Sequence, residues 1–278
     1  MLSVRVQSPL SCIVALCVCA IVVGAVPTVA QTTGGPRGAT TKERAFGVLT
    51  DFQLGLGATW LTKKDERFNW DIDFKTDLDI FDVGFARASV FFNFETIAGT
   101  EFRRVDPNQA NYVLDMSVFG RLPRGELGAT FHHVSRHLTD RANRQGISWN
   151  MLGVVYGDRL TLGGVDIRAS VRALKTIEHS PQVDYEGEID GSLKVTVPVN
   201  SRVAFYTDMT SVIVQVDPSV FDRNIRTGGL VEGGLRIGYS AAALELFGGW
   251  EARIDADPIA LKTERLGMLG FRVLTLRP

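Results

Sequence analysis

From Val48 onward, apolar and polar residues alternate with a period of two, in one segment after another. The clearest stretch runs from Phe68 to Phe81. Phe68, Trp70, Ile72, Phe74, Leu78 and Ile80 fall on one face, interrupted only by Thr76, while Asn69, Asp71, Asp73, Lys75, Asp77 and Asp79 fall on the other. Such a period sustained over that length excludes a helix and predicts a β-strand, longer than the usual globular strand of roughly 5–6 residues. The same reading places strands over Val48–Leu61, Val83–Ile97, Asn111–Leu122, Gly125–His137, Ile147–Gly157, Val165–Lys175, Tyr185–Val197, Arg202–Val216, Gly229–Tyr239, Ala242–Ile254 and Arg265–Leu276. With Phe68–Phe81 they make about twelve strands, an even number as bacterial outer-membrane barrels require.

The connections between these strands alternate in length. Phe81-Asp82, Pro123-Arg124, Pro198 to Ser201 and Ser240-Ala241 are short; Ala98 to Ala110, Leu138 to Gly146, Asp217 to Gly228 and Asp255 to Glu264 are long. Asp158 to Gly164 fits neither class. Tight periplasmic turns opposite long external loops belong to a meandering transmembrane barrel. The expected fold is therefore all-β, a single closed antiparallel barrel of about twelve strands over residues 46–278. A water-soluble, lipocalin-like barrel, periplasmic or secreted, is the alternative. The faces pointing inward carry both signs, among them Asp71, Lys75, Arg87, Glu95, Arg172, Glu186, Glu188 and Lys194. Paired with one another they would plug the lumen; unpaired, they would line a polar channel.

Within that frame one strand carries candidate chemistry. In Leu127 to Asp140, Leu127, Ala129, Phe131, His133, Ser135 and His137 share a face, while Gly128, Thr130, His132, Val134 and Arg136 share the other. With the first strand rising from the periplasm, this fifth strand runs outward. Its apolar face is then the lipid face, and His133 and Ser135 stand at its outer rim. A serine hydroxyl becomes a nucleophile when a base takes its proton and a third group orients that base. His133 or His137 is close enough to Ser135 to act as base, and Asp140, in the following turn, to orient either ring. The structural alternative is a girdle of amphipathic side chains at headgroup level. A metal between His133 and His137 fits less well, because four residues of strand separate them by ~13 Å. No metal or cofactor is expected.

The N-terminus adds a location. Arg5 and the apolar run from Cys12 to Val26 make an export signal, with Thr28-Val29-Ala30 as the cleavage site. Residues 1–30 are thus expected to be a signal peptide and 31–45 a flexible, Gly/Thr-rich leader; a retained membrane anchor is the other reading. Cys12, Cys17 and Cys19 all lie in the signal, so the mature chain has no thiol, and neither Cys17 nor Cys19 follows the small residues of a lipoprotein signal. Removing Arg5 from the 30 basic residues leaves 29 against 31 acidic ones, a formal charge of −2. That balance argues against a nucleic-acid partner.

The H-x-S motif of His133 and Ser135, at the outer rim of a lipid-facing strand, resembles the lipid A 3-O-deacylases of Gram-negative outer membranes. The likeness covers about a dozen residues together with the Gly146-Ile147-Ser148-Trp149 start of the next strand. It implies a serine esterase that cuts an ester-linked acyl chain from lipopolysaccharide, with Ser135 as nucleophile and His133 as general base. The chain departs from those enzymes in having Arg136 where they have asparagine, and Ile147 where they place a glutamate that orients the histidine. The longer string H-V-S-R-H-L-T-D is similar to the H-x-S-S-H-L-x-D-like signature of a family of larger, functionally uncharacterised outer-membrane barrels. The implied partners are outer-membrane lipids and lipopolysaccharide, with the barrel assembly machinery during insertion. Loop arginines such as Arg67, Arg103 and Arg223 offer forks for lipopolysaccharide phosphates, or simply a solvated surface. A non-enzymatic channel or structural barrel is the competing function.

Overall fold

A computed structural model describes residues 46–62, 65–138 and 146–275. The expected signal, leader and Asp140 lie outside them. The chain forms β1 (Gly47–Leu61), β2 (Trp70–Asp82), β3 (Ala86–Gly99), β4 (Asp106–Arg121), β5 (Glu126–Leu138), β6 (Gly146–Leu162), β7 (Val165–His179), β8 (Tyr185–Pro198), β9 (Val203–Val216), β10 (Arg226–Tyr239), β11 (Ala242–Asp257) and β12 (Lys262–Thr275). Each pairs antiparallel with its sequence neighbours, and β1 pairs with β12 from Gly55↔Leu274 to Leu61↔Met268, which closes the barrel. Closure leaves no open sheet edge, the condition for strands to cross a bilayer.

The outward face is apolar along its middle. Leu56, Ile72, Phe74, Met116, Leu152, Val154, Val171, Ile189, Leu246 and Phe271 are all exposed, while Asp79, Arg87, Glu95, Glu126, Arg172 and Glu245 are buried. An arrangement with its charges inside and its large hydrophobes outside is stable only if the outside meets hydrocarbon. The molecule is therefore an outer-membrane-type β-barrel. One rim has the tight connections 83–85, 122–125, 163–164, 199–202 and 240–241; the opposite rim has the longer ones except at 258–261, where the strands extend and shorten the expected Asp255–Glu264 loop to four residues. The stretch that matched neither class resolves into strand: β6 continues to Leu162, and the turn is Gly163-Gly164, with φ of 57° and 87°. Both positive angles suit a two-residue hairpin turn that only glycine adopts cheaply.

Ion pairs fill the lumen. Arg87 bridges Asp79 and Glu126 at 2.8 Å each. Arg172 reaches Asp190 at 2.6 Å, Asp115 at 3.3 Å and Glu188 at 3.5 Å. Arg272 joins Glu232 at 2.9 Å and Glu245 at 3.1 Å. Toward the outer end two apolar clusters take over. One gathers Val134, Ile147, Trp149, Val183, Tyr185, Val216 and Ile254; the other gathers Leu61, Phe68, Ile97, Ala256, Leu266 and Met268. The outer mouth is also latched. Arg223, in the 217–225 loop, binds Asp184 and Asp255, and Arg67 binds Asp65 and Asp257. Burial opposes the Arg223 charge, but its hydrogen bonds to Asp184 and Asp255 outweigh that and hold its pKa above the ordinary arginine value. These two arginines are thus engaged within the protein.

Among the described residues, side chains at the outer ends of β2, β8 and β11 leave the faces that strict alternation gives them. Phe68 is only 3% exposed, because it precedes β2 and folds into the second cluster. Tyr185 turns inward, its hydroxyl donating to Asp255 Oδ2 at 2.8 Å, and Glu186 turns outward to accept from Gln215. The cause is a register shift between Tyr185 and Gly187, a bulge that flips one residue. Ile254 likewise turns inward: the β11–β12 register shifts after Arg253, and Asp255 sits at φ 45°.

Candidate functional site

β5 pairs with β4 and β6 without a bulge, so its alternation holds along its length. Gly128, Thr130, His132 and Val134 are buried in the lumen, while Leu127, Ala129 and His137 are exposed and Phe131, His133 and Ser135 half-buried on the outer side. Ser135 stands opposite Tyr112 on β4 and Ser148 on β6. His133 stands opposite Asn150.

His133 Nδ1 lies 2.6 Å from Asn150 Oδ1, and Asn150 Nδ2 donates to Glu178 Oε2 at 2.9 Å. The carboxylate of Glu178 only accepts, so it fixes which end of the Asn150 amide faces it. The amide oxygen is then left to face His133 and can only accept, which places the imidazole proton on Nδ1. Nε2 is the basic nitrogen. The chain Glu178–Asn150–His133 holds the ring and its tautomer, the role that a third group plays for a catalytic base.

The second imidazole has other surroundings. His137 packs edge-on against Tyr112, with centroids 5.6 Å apart and planes at 81°, and Tyr112 in turn meets Phe94 at 5.1 Å. On its other side it lies across Gly146, where a Cβ would stand 2.9 Å from His137 Nδ1. Ser148 and Ser180 bring their hydroxyls to 3.3 Å, and Ser180 Oγ accepts from the Ser148 amide at 2.9 Å. Ser135, His133 and His137 are thus gathered on one outer patch, although no hydrogen bond joins Ser135 to either imidazole. Arg136, in the position where the deacylases carry asparagine, points into the lumen. It donates to the Asp255 carbonyl at 2.6 Å and lies over Trp149 at 5.3 Å. It therefore has no place at an outward-facing oxyanion.

Sequence reasoning missed Asn150 and Glu178. Asn150 was within reach of it, since it falls on the outward face of β6 opposite His133. Glu178 was not, because β7 continues past Lys175 to His179 across a register shift that re-aims its last residues. Together with Ser135, Ser148, Lys175 and Glu186 these residues interrupt the apolar belt at the outer ends of β5 to β8.

No family model matches the chain, and no curated protein matches it. Among solved structures, the translocator domain of the autotransporter NalP from Neisseria meningitidis aligns with a TM-score of 0.41 at 10% identity, over 84% of this chain and 88% of that one. The outer-membrane channel DcaP of Acinetobacter baumannii gives 0.38 at 7% identity, over 90% and 99%. A loop-deletion mutant of OmpT, an outer-membrane protein of Vibrio cholerae, gives 0.37 at 11%, over 84% and 100%. At such scores neither detailed fold nor activity passes from those proteins to this chain. The barrel stands on its own strand ladder.

Proposed function

We propose that this barrel is an outer-membrane serine esterase that removes an ester-linked acyl chain from lipid A of lipopolysaccharide. Ser135 is the nucleophile and His133 Nε2 the base that takes its proton. Attack on the ester carbonyl gives a tetrahedral oxyanion, and its collapse leaves the acyl chain on Ser135 and releases the sugar alcohol, protonated by His133. Water, activated by the same nitrogen, then frees the fatty acid. We assign the oxyanion donors to Ser148 and Tyr112, the residues opposite Ser135 on the two neighbouring strands. Asp140, beyond the end of β5, is a second candidate for orienting a histidine.

The observation that carries this reading is the Glu178–Asn150–His133 chain, which fixes one tautomer on a lipid-facing ring two residues from a serine. A girdle of interfacial side chains has no need of a two-step relay behind one histidine. The missing hydrogen bond between Ser135 and His133 does not oppose catalysis, since such contacts commonly tighten only with substrate bound. Against the channel reading stands the lumen, crossed by ion pairs and capped by two apolar clusters among the described residues. The test is mass spectrometry of lipid A from cells with and without the protein. The expected result is a species lighter by one ester-linked acyl chain only when wild-type protein is present; identical lipid A in both would refute the reading.

A further inference from the structure

Between the ion pairs and the apolar clusters, members of both of which line it, the lumen holds a cavity of about 140 Å³. On its β2–β3 wall, Asp71, Asp73 and Glu95 bring carboxylate oxygens within 4.8 Å of one another. Two further observations bear on this cluster. The first is charge. Asp71, Glu95 and Glu251 all lean on one guanidinium, that of Arg253, and Asp73 has Lys75 at 2.9 Å. Arg136, which also lines the cavity, commits its Nη1 to the carbonyls of residues 254 and 255. Arg253 and Lys75 thus answer four carboxylates directly and Arg136 adds a third positive charge near Glu95, which leaves the group one negative charge in excess where unmatched buried charge is costly.

The second is unfilled bonding capacity. Asn93 is 1% exposed and lines the same cavity, two residues from Glu95 on the inward face, yet its Oδ1 has no hydrogen-bond partner. Asp71 Oδ1 is buried and unpartnered as well. The Asp73 carboxylate leans over a glycine. Gly57 lies opposite Asp73 in the β1–β2 ladder, and a Cβ there would stand 2.8 Å from Asp73 Oδ2.

We propose that this wall is a divalent-cation site that takes calcium through Asp71, Asp73, Glu95 and the amide oxygen of Asn93. The donors are all oxygen, carboxylate mixed with carbonyl, the set that a hard cation of irregular coordination prefers. The one imidazole on the cavity, His132, is held by Asp115. A divalent ion more than offsets the remaining negative charge and fills the open acceptors at once. Arg253 Nη1, Arg272 Nε and Trp149 Nε1, also unpartnered on this cavity, call for acceptors instead, and the space has room for waters to supply them. The competing solution to the same charge problem is a proton shared between Asp71 and Glu95.

The experiment refolds the full chain in detergent with calcium chloride, desalts it, and measures calcium per chain and the urea midpoint with calcium or with chelator. We expect about one retained calcium per chain and a midpoint raised by calcium. Asp73→Asn and the uncharged change Asn93→Ala should each weaken binding by about tenfold or more. Asp208→Asn, which removes the Lys194 partner elsewhere in the lumen, should leave binding intact. The proposal is overturned if folded wild type retains no calcium and shows no shift, or if both site variants retain it equally. It is also overturned if a protonated-carboxyl infrared band, lost in Asp71→Asn, persists at neutral pH regardless of calcium.

Discussion

His133 and His137 share a strand face and a chemistry but not surroundings. His133 is tied through Asn150 to Glu178, whereas His137 is wedged between Tyr112 and Gly146. Their substitution should therefore separate them. His133→Ala should abolish ester hydrolysis, since a positioned base contributes ~10²–10⁴-fold, while His137→Ala should retain most of it. Asn150→Leu and Glu178→Gln should lower kcat by a fraction of that factor with little change in KM, because they orient the base and touch no substrate. Asp140→Asn should be milder than Glu178→Gln if the relay is the working one. Steady-state kinetics on a soluble ester reads all of these, and full activity in both Asn150→Leu and Glu178→Gln would dismiss the relay. The outward placement of His133 and Ser135 was legible because β5 has no irregularity to upset a count of two. Glu178 was illegible for the opposite reason: it follows a register shift, and no pattern of hydrophobicity marks where such a shift falls.

At the level of elements, alternation located all the strands, and the alternation of loop lengths located their two ends. The failures cluster at the outer ends of β2, β8 and β11, where Phe68, Tyr185 and Ile254 turn into the lumen. The physical reason is shared. Chain that closes the mouth must build an apolar core: Phe68 joins it from ahead of β2, and at β8 and β11 bulges re-aim residues that regular pleating would send to lipid. Away from these ends the two faces of a strand should respond oppositely to charge. Leu193 lies mid-strand on the lipid side of β8, and Lys194 points inward to Asp208 at 2.8 Å. Leu193→Arg should cost ~2–4 kcal/mol by placing a charge in hydrocarbon, and Lys194→Arg should cost little. Urea titrations in lipid vesicles measure both; equal midpoints for Leu193→Arg and wild type would reverse the assigned faces.

For the molecule as a whole, the sequence left open whether the inward charges pair with one another or line a channel. They pair: Arg87, Arg172, Arg253 and Arg272 each bridge carboxylates on other strands, and the mouth above them is latched through Arg67 and Arg223. Breaking one such buried set leaves uncompensated charge, so Arg172→Met should destabilise the barrel by ~3–5 kcal/mol. A lumen filled in this way should give no steady conductance when the purified protein is inserted into planar bilayers, and a reproducible open level at each insertion would restore the channel reading.

With the interior committed to holding the barrel together, the chemistry is assigned to its outer surface. The most direct measurement reconstitutes purified wild type and Ser135→Ala in vesicles containing lipopolysaccharide and quantifies released fatty acid across neutral to alkaline pH. The account predicts release by wild type and none by Ser135→Ala, with both equally folded, since a rim hydroxyl contributes little to stability. No release by wild type, or equal release by the two, would contradict it.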